Sequence, residues 1–133
     1  MASHRYVRAY LAGIAVPTVF LLVALGVFLV ARFGAGHVAL ERLIVFPMAV
    51  VPSLWGLWNI LYVALGRRWS LGLHGAALPF LLLPAGFLLA QALEISLYTP
   101  ARVATLFPVA LIAYYLAWKH VVGFLNRLIG VEP

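Results

Sequence analysis

AVVPSLWGLWNILYVALG, residues 49–66, is an almost unbroken apolar run that carries one amide, Asn59, among Trp55, Trp58 and Tyr62. A stretch of this length matches the roughly 20 apolar residues that a helix needs to cross about 30 Å of hydrocarbon. It is one of four. Breaking the chain at charges and turn-forming residues leaves apolar blocks at Tyr10 to Ala31, Leu43 to Leu65, Ala76 to Leu97 and Ala101 to Trp118.

The whole composition agrees with the blocks. The 133 residues are 66% hydrophobic and 9% charged, with a mean hydropathy of +1.11, against roughly 25% charged residues in a soluble domain. A soluble fold of this size would leave about a third of its chain surface in water. A bilayer is the solvent that suits such a surface. Because the blocks are continuous rather than alternating, they are expected to be helices and not strands of a barrel. The fold class is therefore all-α: a single domain, residues 1–133, forming an integral membrane four-helix antiparallel transmembrane bundle. The first block is too long for the apolar core of a signal peptide and is expected to be retained.

Connections are short and punctuated by Arg32 to His37, Gly66 to Ser70 and Tyr98 to Arg102. Thr99 can cap the last block, with Pro100 at its first helical position, where the missing donor costs nothing. Residues 120–129 either continue that helix or lie along the membrane surface. Arg5, Arg8, Arg67, Arg68, Lys119 and Arg127 flank one side, against Arg32, Arg42 and Arg102 on the other. That six-to-three bias places both termini in the cytoplasm, with a bacterial inner membrane as the expected location.

The formal net charge of +6 is dispersed in single and paired residues between apolar blocks. It predicts contact with anionic lipid headgroups, notably at Arg67 and Arg68, and not nucleic-acid binding. The chain has no cysteine, which removes disulfides and thiolate chemistry. It also lacks a serine elbow, a phosphate-binding loop and a zinc-protease motif. With three acids in total, paired-carboxylate catalysis has little material, and no enzymatic activity is expected. A lipid-modifying enzyme using Glu94, His37 and outer-face arginines is the remote alternative.

Polar residues inside spans are costly and need a partner or a purpose. Glu94 lies about four residues inside the third block, so it either pairs with Arg102, Arg42 or Arg32 or acts as a protonatable transport site. Gln91, Glu94 and Tyr98 share one helical face, and depth matching sets Ser53 and Trp55 level with Gln91. Asn59, near the middle of its block, shares a face with Trp55, Gly56, Tyr62 and Gly66, within about a third of the helix circumference. Its partner is open: a carbonyl released by a proline would make it packing glue, whereas a wet cavity would favour transport.

His74 and His120 invite a haem reading, but His74 stands among Gly72 and Gly75 in an expected turn and His120 at the water boundary, so no cofactor is expected. His37 and Glu41 supply two ligands, too few for a metal site. Small residues four apart, Ala9 and Gly13, Ala49 and Ser53, Gly86 and Ala90, Ala113 and Ala117, allow close helix packing. Pro17, Pro47, Pro52, Pro79, Pro84 and Pro108 can splay helices. The function expected is a small membrane protein that self-associates or joins a larger complex. The alternative is a small channel or proton-coupled transporter running past Asn59, Gln91 and Glu94.

Overall fold

The computed structural model describes the backbone of residues 2–32, 38–66, 68–92 and 99–131, and side chains for 4–27, 29–30, 50–66, 68–88, 91–92, 99–101 and 103–131. Every regular element among them is helical: α1 (Ala2–Arg32), α2 (Val38–Ala64), α3 (Leu71–Ala92), α4 (Pro100–Leu116), a π turn (Ala117–Val122) and α5 (Gly123–Leu128). The segments His4–Val27, Leu71–Leu88 and Val103–Leu128 are long and apolar enough to cross a membrane, and Val50–Ala64 is a shorter apolar stretch of α2. This is the all-helical bundle of a membrane protein.

Helix ends follow local chemistry. Ser70 opens α3: its hydroxyl accepts a hydrogen bond from the Leu73 N–H at 3.4 Å, and its carbonyl accepts from His74 at 3.0 Å. The third helix therefore starts five residues before the block boundary set by hydropathy, and His74 lies on its first turns rather than in a turn outside it. Thr99 accepts the Val103 N–H at 3.0 Å, with Pro100 as the first residue of α4. Residues 117–128 extend the fourth helix through the π turn into α5. Gly66 and Gly130 close their helices at φ values of 69° and 70°, a left-handed conformation that glycine adopts without steric cost.

The chain divides into two compact units, Met1–Gly66 with Leu125–Pro133, and Arg67–Phe124. In the first, α1 and α2 run antiparallel, since Gly13 faces Trp55 and Gly56 while Ala9 faces Asn59. A Cβ on Gly13 would stand 2.5 Å from the Trp55 carbonyl oxygen and 2.8 Å from the Gly56 Cα. Backbone meets backbone there. Tyr10 and Ile14 lie over Gly56 from the α1 side.

In the second unit, α3 and α4 also pair antiparallel. Gly72 receives the Tyr115 ring and Gly75 the Trp118 ring, while Phe80 meets Phe107 edge-to-face at 5.0 Å. Read by composition, Gly72 and Gly75 look like turn formers; in the fold they are notches in a helix, filled by aromatic rings from the facing helix. Gly75→Ala is expected to push its new methyl into the Trp118 ring, which is fully buried, and to cost about 1–3 kcal/mol by overpacking. Reversible unfolding in mixed detergent micelles measures it, and a neutral result would show that the indole can move aside.

Candidate functional site: a buried asparagine pair

The polar centre of the first unit is made by the only two asparagines in the chain, Asn59 and Asn126. Both are fully buried. Asn59 Nδ2 donates to the Ala9 carbonyl at 2.7 Å and to Asn126 Oδ1 at 2.9 Å, and Asn126 Nδ2 donates back to Asn59 Oδ1 at 3.2 Å. The Ala9 carbonyl sets the direction of the whole arrangement. A carbonyl accepts only, so Asn59 must turn its NH₂ toward it, and the second hydrogen of that group and the opposing oxygen then dictate how Asn126 sits.

Each helix contributes a different reason for the pair. On α1, Ala9 and Ala12 are buried, and Gly13 stands against the Trp55–Gly56 backbone. On α2, Asn59 lies with buried Trp55, Gly56 and Tyr62 on the packed face. Asn126 is held by the C-terminal turn. Its carbonyl accepts the Val131 N–H at 2.8 Å, while the Gly130 N–H reaches the Arg127 carbonyl at 3.1 Å, the bonding pattern of a Schellman cap. Val131, folded back by that cap, is buried. Arg8 Nη1 donates to the Ile129 carbonyl at 3.4 Å, a cation placed at the negative end of the helix.

Two expectations change. Asn59 is not central in its helix: it lies five residues before the end of α2 at Ala64. Its carbonyl partner also owes nothing to a proline, because Pro17 would release the carbonyl of Gly13, four residues earlier, and the acceptor is Ala9. Asn126 passes in sequence for an interruption in an apolar segment. The available signal was its identity as the chain's one other asparagine.

The remaining predicted site residues are dispersed in character. Trp55 and Tyr62 are buried, whereas Ser53 and Gln91 are exposed. Glu94, His37, Arg67 and Tyr98 lie outside the described residues, as do the side chains of Arg32, Arg42, Glu41 and Arg102. His74, buried, stands edge-on to Trp118 at 5.9 Å, and His120 is exposed. Among the described residues no group of three histidine or carboxylate side chains is placed to hold a metal.

Comparison of the chain with protein-family models, with curated proteins and with solved structures finds no match.

Proposed function

We propose that the chain is a small, non-enzymatic polytopic membrane protein that self-associates or serves as an embedded subunit of a larger membrane complex, in a bacterial inner membrane with both termini cytoplasmic. The asparagine pair is the observation that supports this reading. A group that binds or passes a solute needs an uncommitted donor or acceptor facing a space that water or ligand can enter. Asn59 has both donors and its oxygen committed to protein partners, in a fully buried position. Its chemistry is used in holding helices together.

The outer faces point the same way. Only 17% to 28% of the apolar window in each of the three long candidate spans is buried within the chain. The rest is apolar surface for lipid or for another protein, and membrane helices associate through such faces by close packing.

Mass measurement of the purified protein in mild detergent tests the reading. A protein mass of two or more times 14.5 kDa, or a stoichiometric co-purifying membrane protein, is the expected result. A monomer that carries a pH-driven flux in liposomes, abolished by Glu94→Gln with folding intact, would replace this reading by transport.

A further inference from the structure

The second unit carries an open recess along the start of α3, unrelated to the asparagine pair. Arg68, Trp69 and Ser70 form its polar end, and Leu73, Ala76, Ala77 and Phe80 continue it along the helix. The spacing of the last four is i, i+3, i+4 and i+7, one helical face. Leu73 and Phe80 stand up from it, 57% and 59% exposed, and the two alanines between them leave a trough. Phe80 forms one wall and meets Phe107 edge-on. From Ser70 to Phe80 the helix rises about 15 Å at 1.5 Å per residue, half of a hydrocarbon core about 30 Å thick. One leaflet is that deep.

Charge identifies what fits. Residues 67–124 contain four arginines and lysines and a single carboxylate, Glu94. At the polar end, Arg68 lines the recess. Outside the lining, Lys119 stands 5.5 Å over the Tyr115 ring, the ring that packs on Gly72, and adds to the positive charge of this unit. Ser70 accepts the Leu73 N–H, which leaves its own proton to donate to an anion. Trp69, 61% exposed, is the kind of side chain that settles at a headgroup boundary.

We propose that this recess is a binding site for one anionic phospholipid, its phosphate on the Arg68 guanidinium and Ser70 hydroxyl and one acyl chain in the trough between Leu73 and Phe80. The inference does not depend on self-association. A zwitterionic lipid offers the same acyl chain but adds a cation beside Arg68, so the site discriminates by headgroup charge.

Brominated lipids quench indoles that they touch, and the contribution of Trp69 is isolated by subtracting a Trp69→Phe variant. The intact protein is reconstituted into phosphatidylcholine vesicles containing equal amounts of phosphatidylglycerol, with either one or the other lipid brominated. Brominated phosphatidylglycerol is expected to be favoured about fivefold at Trp69, equivalent to the ~1 kcal/mol typical of one cation near a lipid surface. Arg68→Gln should bring the ratio close to one, while Arg68→Lys keeps most of it. Equal quenching by both lipids in the unmodified protein, or a preference that survives Arg68→Gln, overturns the proposal. So does the absence of quenching by either lipid, which would mean that protein covers the recess.

Discussion

Asn126→Leu is expected to destabilise the folded chain by about 2 kcal/mol, because it removes one half of a reciprocal amide pair and leaves the other buried with an unmet oxygen. Asn59 would keep its bond to Ala9 and lose both bonds to Asn126. The informative measurement is the full cycle with Asn59→Leu and the double variant, by reversible unfolding in mixed micelles. If both amides go together, no orphan remains, and replacing both partners by apolar groups of similar shape is far less harmful than removing one. A coupling energy of about 1–2 kcal/mol is expected. Interhelical hydrogen bonds in membranes average about 0.6 kcal/mol with a maximum near 1.7, and this pair has two bonds in a fully buried site. Additive losses, with coupling below about 0.3 kcal/mol, would show that the amides do not act as a unit.

Gly13→Ala carries the other large expected effect, about 2–3 kcal/mol. The new methyl meets the Trp55 carbonyl oxygen and the Gly56 Cα, and backbone cannot turn aside as a side chain can. α1 and α2 must then separate, which also lengthens the Ala9 contact with Asn59. Two other glycines provide the comparison. At Gly56 the obstacles are the Tyr10 ring and a methyl of Ile14, so Gly56→Ala should cost less than Gly13→Ala. Gly26 has nothing within 4 Å of its position, so Gly26→Ala should be neutral or stabilising by up to about 1 kcal/mol through helix propensity alone. Equal losses at all three sites would rule out close approach at Gly13 as the cause.

These two effects arise at one place. Arg8, Ala9 and Gly13 of α1 meet, in turn, the Ile129 carbonyl, Asn59 and the Trp55–Gly56 backbone. The turn at Gly130 closes the C-terminal helix beside them, reversing the chain so that Val131 bonds to Asn126 and is buried. A change at Asn126 is thus felt by the first helix although 117 positions separate it from Ala9 in the chain.

The all-helical membrane class was legible in the chain because hydropathy and block length are properties of local composition, and lipid leaves the backbone few ways to satisfy its hydrogen bonds. Most of the packed face was legible too, since Trp55, Gly56, Asn59 and Tyr62 follow from the helical repeat, whereas Gly66, read onto the same face, lies exposed beyond the end of α2. Two things needed the tertiary structure. Gly72 and Gly75 have the composition of a turn, yet they lie within α3 with the rings of Tyr115 and Trp118 packed against them. The partner of Asn59 was hidden for a different reason. A hydrogen bond is decided by distance and direction within a few tenths of an ångström, and no periodicity along the chain encodes which of many polar atoms a fold will bring to 2.9 Å.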